Sequence, residues 1–447
     1  MTPIAILIVC AFLAGYMAIA CESVIRVNKA AIALFMMVVC WTLFSIGAGS
    51  FLPVDTASLS VATSALIEDH LGSAATTLFF LMGAMTIVEI VDRNGGFSFV
   101  RKALRTTSKR RLLWRIAFMT FFLSAILDNL TTSIVMIMVL RKLVNRHTDR
   151  MLYAAMVVVA ANSGGAFSPI GDVTTIMLWN AGMISAWGVI QEIFIPSLVS
   201  MVVPGLLLMP SLKGTLEPYQ ADSNDKDDAD DELTARQRKV VFFLGVGGLI
   251  FVPVFRGLTG MPPFMGILLV LSVLWLTTEL FYAHLRRRIN PKDIHKRVST
   301  LLSHIDMATI LFFLGILMAV SCLEEIGVLH SLGIWLNDVS AGNHYLVTGL
   351  IGIISSIVDN VPLVAGCMGM YPIAPTGDMA IDGIFWQLLA YCAGVGGSLL
   401  IIGSAAGVVV MGLEKISFGW YMKRITPLMF VGYLAGLGCY WVIRALF

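Results

Sequence analysis

Charge is scarce in this sequence. Asp, Glu, Lys and Arg make up 13% of its 447 residues, and 58% are hydrophobic. Soluble globular domains carry roughly 25% charged residues, so a soluble fold is excluded and a polytopic membrane protein is implied; the mean hydropathy of +0.87 agrees. Lys and Arg are absent altogether from Val298 to Glu414, so the small net charge of +2 hides strong segregation along the chain. Basic loops in such a chain mark a cytoplasmic face and lipid headgroups, which excludes a nucleic-acid partner and leaves membrane lipid as the expected one. The seven cysteines (Cys10, Cys21, Cys40, Cys322, Cys367, Cys392 and Cys439) lie in or beside apolar runs without metal-ligand spacing. They read as soft hydrophobes, neither ligands nor disulfides. The glycine string Gly394-Val395-Gly396-Gly397 lacks the strand-to-helix context of a nucleotide loop, so no cofactor is expected and no enzymatic domain. The first apolar run, Thr2 to Ala20, has no basic n-region and no convincing cleavage site, and reads as a retained span.

What is present is a series of apolar runs near the ~20 residues a spanning helix needs. They lie at about 3–21, 29–51, 75–92, 186–210, 240–257, 263–283, 304–327 and 424–446, with two more, 151–180 and 385–413, interrupted by glycine and polar residues. The acidic tract 211–239 cannot bury a core and reads as a cytoplasmic linker between a first half, 1–210, and a second, 240–447. Eight basic residues between Arg93 and Arg115 place that loop in the cytoplasm, and Arg141, Lys142, Arg146 and Arg150 do the same for the next. Only 25 residues separate Arg115 from Arg141, too few for two spans of roughly 20, so 116–140 is expected to be a re-entrant hairpin. In the second half the basic loop 284–297 is inside, and the segments around 328–345 and 371–384, free of Lys and Arg, are expected to be outer loops. Segment 346–370 is then a hairpin entering from outside, and both chain termini are expected outside.

The halves share motifs. Ser124-Ala-Ile-Leu-Asp128-Asn129 is matched by Ser355-Ser-Ile-Val-Asp359-Asn360, and Leu78-Phe-Phe-Leu81 by Leu311-Phe-Phe-Leu314. Gly164, Gly165 and Gly171 are matched by Gly396, Gly397 and Gly403; Asp128 precedes Gly164 by 36 residues and Asp359 precedes Gly396 by 37. Similar sequence in opposite orientation is the signature of inverted repeats, whose interface near the midplane holds the site in secondary transporters. The expected fold is an all-α polytopic membrane protein with inverted structural repeats, two re-entrant hairpins and two broken transmembrane helices.

A carboxylate inside the bilayer is costly and is usually kept for ion or proton handling. Asp128 and Asp359 are the first candidates, each followed by an amide, Asn129 or Asn360; helix capping is the bland alternative for both. At the glycine- and proline-broken segment, Asn162, Asp172, Thr174 and Thr175 add hard oxygen ligands of the kind that replace water around a small cation. The second break offers Ser398 and Ser404 without a carboxylate, so the site is expected to be asymmetric, with Asp172 lacking a twin; a bracing role for Asp172 at the broken helix is its bland alternative. Ser124, Thr131, Thr132, Gly164, Gly165, Gly171, Ser355, Pro362, Gly396, Gly397 and Gly403 are expected to support the site. No Lys or Arg lies in these segments, which suits a cation, and protons are expected to compete with it for the same oxygens.

On Leu127 to Ser133, Ala161 to Gly165, Pro169 to Thr175, Ser355 to Pro362 and Gly403 to Gly407, the chain resembles the NhaD-type sodium/proton antiporters of the ion transporter superfamily over nearly its whole length. The resemblance implies export of Na⁺ or Li⁺ against inward protons, residence in a bacterial inner membrane, and roles for Asp128, Asn129, Asn162, Asp172, Thr174, Thr175, Asp359 and Asn360. It further implies a scaffold that forms a homodimer and a mobile transport part carrying the hairpins, that is, elevator-type alternating access. Members often carry a serine one turn before Ser404, where this chain has Ile401. An organic-anion or metalloid carrier of the same superfamily would show neutral hairpin tips or a basic residue in the site. An intramembrane aspartyl protease would need paired aspartates on facing helices around a peptide-sized cavity.

Overall fold

The computed structural model describes residues 2–20, 25, 27–52, 58–95, 104, 106–216, 233–285, 302, 305–357 and 360–446. Asp359, most of the acidic linker and most of the basic loop 284–297 lie outside the described residues. The described regular structure is helical: α1 (Pro3–Ala20), α2 (Lys29–Gly47), α3 (Leu59–Arg93), α4 (Lys109–Leu127), α5 (Asn129–Leu143), α6 (His147–Ala166), α7 (Val173–Asn180), α8 (Ala186–Leu208) and α9 (Ala235–Thr259) in the first part. There follow α10 (Pro263–Leu285), α11 (Met307–Glu325), α12 (Val328–Val339), α13 (His344–Ile354), α14 (Asn360–Met370), α15 (Ile384–Gly396), α16 (Ala405–Glu414), α17 (Phe418–Arg424) and α18 (Thr426–Leu446). Seven of the described helices (α2, α3, α8, α9, α10, α11 and α18) are long and apolar enough to cross a membrane, so the chain is an integral, multi-pass, all-α membrane protein.

The helix ends follow local chemistry. Asn28, Ser108, Ser185, Thr234, Asp306 and Asn343 each place a side-chain oxygen on a backbone N–H of the helix that follows, satisfying one of its orphan donors. Two expectations need correction. The run expected at 75–92 is the second part of a 35-residue helix, α3, because Glu68, Asp69 and His70 do not stop it: His70 Nε2 lies 2.9 Å from Glu325 Oε1 at the end of α11, which satisfies polar groups that would otherwise mark a boundary. The segment 328–345, expected as a loop, contains helix α12, whose apolar positions pack it on α14.

Two groups of helices pack side by side. α1, α2, α3, α9, α10 and α11 form one; α4 to α8, α13, α15, α16 and α18 form the other; α14 lies between them against α11, and α7 against α3. In the first group, a β-carbon on Gly315 of α11 would meet the Ala33 carbonyl carbon of α2 at 2.6 Å, and Trp41 donates its indole N–H to the Met318 carbonyl at 2.8 Å. Small residues allow such close backbone contact where lipid gives little hydrophobic drive. In the second group, α8 lies on α18; Arg444 Nη2 pairs with Glu192 Oε2 at 2.7 Å and Tyr440 donates to the same carboxylate.

Candidate functional site

Four helical interruptions converge on one buried cluster. α4 ends and α5 begins at Asp128, whose φ of +81° is rare for a residue with a side chain and marks strain held by its surroundings. α6 ends at Ala166 and α7 starts after Asp172; α15 ends at Gly396 and α16 starts after Ser404. Asp172 and Ser404 occupy the same position, extended N-cap residues with φ of −144°, whose side chains accept from the N–H of Thr174 and Gly407 respectively. α13 ends at Ile354 and α14 starts at Asn360, with Asp359 outside the described residues; Pro362 sits in the first turn of α14, where a missing N–H costs nothing.

The glycines account for the approach of hairpin to broken helix. A β-carbon on Gly164 would lie 2.1 Å from the Phe121 carbonyl oxygen, and one on Gly396 would lie 2.1 Å from that of Gly352. Gly171 faces the Ser124 carbonyl at 2.8 Å and Gly403 that of Ser356 at 2.6 Å; Gly165 and Gly397 close the breaks against the carbonyls of Gly171 and Gly403. Ser124 Oγ donates to the Ala161 carbonyl at 2.6 Å, and Ser355 Oγ to that of Ala393 at 2.9 Å. These clashes involve backbone that is itself held, so Gly164→Ala or Gly396→Ala is expected to cost about 3 kcal/mol, the upper end for overpacking, and to deplete the monodisperse, folded species in detergent. Gly366→Ala, with nothing within 4 Å of its β-carbon, is expected to fold normally; size-exclusion chromatography of all three is the check.

Asp172 is the hub. Only 1% exposed, its carboxylate accepts from Asn129 Nδ2 at 3.1 Å and from Asn360 Nδ2 at 3.2 Å, so one amide reaches it from each hairpin. Asn129 also donates to Asn162 Oδ1 at 3.0 Å, and Asn162 donates in turn to Ser398 Oγ at 2.8 Å and Ser404 Oγ at 2.9 Å. The chain therefore joins the first hairpin, both breaks and the second hairpin through one carboxylate and three amides. Thr175 Oγ1 returns to the Asp172 carbonyl at 2.8 Å. The Thr174 and Thr132 hydroxyls are buried with no hydrogen-bond partner among the described residues, oxygens that a cation or water would satisfy. Among the described residues no three His, Cys, Asp or Glu side chains stand close enough together to hold a metal; the donors that the network brings together are the Asp172 carboxylate with amide and hydroxyl oxygens.

Asp128 is placed differently. Its Oδ1 accepts from the Thr131 N–H and its Oδ2 from the Thr131 hydroxyl, both at 2.8 Å, so it caps α5 beside the hub residue Asn129. Ser398, offered by the second break beside Ser404, belongs to the network, and Ile401, fully buried, supplies only its backbone carbonyl against Gly407. A second polar cluster was not expected at all. Glu414 at the end of α16 has a wholly buried side chain that accepts from Arg141 Nε at 2.7 Å and Arg150 Nε at 2.5 Å, while His147 Nε2 lies 2.9 Å from its carbonyl. Arg141 also donates to the Leu413 carbonyl. The only sequence signal for it is a carboxylate closing the stretch that lacks Lys and Arg.

Comparison with known proteins adds the family. The CitMHS family model, described as a citrate transporter, matches residues 16–388. Sodium/proton antiporter 1 of Arabidopsis thaliana is 46% identical over 97% of this chain and 71% of its own length; sodium/proton antiporter 2 of the same plant is 42% identical over 96% and 97%. The Na(+)/H(+) antiporter NhaD of Vibrio cholerae is 30% identical over 95% of this chain and 89% of its own. The chain belongs to the NhaD-type sodium/proton antiporters of the ion transporter superfamily.

Proposed function

We propose that this protein exchanges Na⁺, and Li⁺ as a second cation, for protons across a membrane, with Asp172 as the group that both ions use. The observation that carries this reading is the Asp172 carboxylate, buried and held by one amide from each hairpin. A carboxylate bound by neutral donors accepts either a proton or a small cation, and occupancy by one excludes the other, which is the condition for exchange. Asp128 supplies further negative charge at the start of α5, and Asp359, outside the described residues, is proposed to do the same from the second half. An asparagine would cap α5 without the cost of a charge in the membrane, so a carboxylate at 128 is kept for ion handling. The matched close contacts at Gly164 and Gly396, and at Gly171 and Gly403, support inverted repeats meeting at the site, with Asp128 and the second hairpin as re-entrant turns.

The two helix groups support an elevator: α1, α2, α3 and α9 to α11 as a dimerising scaffold, and the group carrying the hairpins and breaks as the moving part. Relatives come from plants and bacteria alike, so orientation is proposed relative to the basic face, which carries Arg141 and Arg150 and faces the cytoplasm, with both termini on the other side.

The family model's description raises citrate as a second substrate class. A tricarboxylate needs cationic or N–H-rich partners, and the site segments 116–140, 151–180, 346–370 and 385–413 contain no Lys or Arg. The test is purified protein in liposomes with an internal pH dye. Added Na⁺ or Li⁺ is expected to drive proton movement and added citrate to drive none. Citrate uptake without any cation-evoked pH change would overturn the proposal.

A further inference from the structure

Resting on that reading of Asp172, we infer that the transported cation enters from the face opposite Arg141 and Arg150 through a cavity of about 480 Å³ between α3 and α11 on one side and the ends of α7 and α14 on the other. Asp69 and Glu324 in its wall draw the cation in. α7 begins beside Asp172 and its last residue, Asn180, lines the cavity; α14 begins at Asn360, and its Met368 and Gly369 line the same space. The eight residues of α7 rise about 12 Å, so the cavity stands one short helix from the hub, along the seam between the two helix groups. Asn180 Nδ2 donates to Thr77 Oγ1 at 3.3 Å across that seam. An ion following it reaches Asp172 without crossing lipid.

The wall's polarity has the right sign. The Glu324 carboxyl carbon lies 3.4 Å from where a β-carbon on Gly369 would stand, so this carboxylate is seated against α14 itself. Glu325, its neighbour, is engaged by His70 at 2.9 Å, and the lining residues include no Lys or Arg. A concave site with low-dielectric walls and carboxylates of one sign concentrates counter-ions, an effect that salt screens. Asp69 and Glu324 make no contact with Asp172 in this scheme; they raise the local cation concentration at the mouth of the path and set apparent affinity from one face only.

Two measurements on the full-length protein in oriented liposomes test this. In an Asp69→Asn/Glu324→Gln variant, the half-saturating Na⁺ concentration from the cavity face is expected to rise about threefold or more at low ionic strength and to approach wild type at ~0.5 M choline chloride, where the Debye length is a few ångströms. From the opposite face, and in maximum rate, the variant should match wild type. An equal shift from both faces, a shift indifferent to salt, or no shift would overturn the steering role. Separately, Met368→Cys should react with a cationic methanethiosulfonate, read by mass, only from the face opposite to that at which Asn145→Cys reacts, and the modification should stop exchange. An unreactive thiol, or one modified without loss of exchange, would show that the cavity is not the entry. Labelling is read without transport: if the wild-type protein exchanges no Na⁺ for protons, the proposed function falls, while the mass shift still reports whether the cavity opens to that face.

Discussion

Asp172→Asn is expected to abolish Na⁺-coupled proton movement while leaving a folded protein in the membrane. The substitution is isosteric, and its Oδ1 can still accept from the Thr174 N–H, so the cap on α7 survives. What is lost is the titratable charge that proton and cation share; the charge-assisted bonds from Asn129 and Asn360 are lost with it. The new amide also sets donors against donors at that point, so a small fall in thermal stability is expected alongside the loss of transport. Transport rate per folded molecule separates the two effects. Exchange near the wild-type rate would remove Asp172 from the mechanism and leave it as a brace for the broken helix.

Glu414→Ala is expected to produce the largest loss of stability among side chains outside the ion network. Its buried carboxylate neutralises Arg141 and Arg150 and fastens the end of α16 to the end of α5 and the start of α6. Removing one partner of a buried ion cluster leaves uncompensated charge at a cost of about 3–5 kcal/mol, and partial exposure of both arginines points to the lower end. Arg141→Ala should cost less, because Arg141 is 45% exposed and Arg150 still answers the carboxylate. Thermal unfolding of the detergent-solubilised variants gives the comparison; equal midpoints for wild type and Glu414→Ala would contradict the clamp.

Hydropathy and spacing made much of this architecture legible. Runs of ~20 apolar residues foretold α1, α2, α8 to α11 and α18 to within a few residues, because lipid allows little except continuous helix. Gly164 and Gly396 were readable as a matched pair, since close backbone approach demands glycine wherever it occurs. The division of labour between the carboxylates was not readable. Asp128 drew attention through its repeat at Asp359, yet the turn at φ +81° aims its oxygens at Thr131, while Asp172, without a twin, receives the amides. A side chain's direction at a broken helix depends on backbone torsions that residue identity does not encode. Glu414 was missed for another reason: its partners stand 273 and 264 residues away, beyond any local pattern. The full length of α3 was hidden because Glu68 to His70 resembles a boundary until Glu325 is known to answer it.

The most direct test of a shared ion site is the half-saturating Na⁺ concentration measured at several symmetrical pH values, wild type beside Asp128→Asn. If protons and Na⁺ occupy the same carboxylates, that concentration must rise as pH falls, because each bound proton removes a ligand charge, while the maximum rate changes less within the working range. Asp128→Asn should flatten the dependence and slow exchange if its charge belongs to the titrating cluster. A half-saturation concentration that stays constant from acid to alkaline pH in the wild-type protein would contradict competition at Asp172 and require separate paths for the proton and the cation.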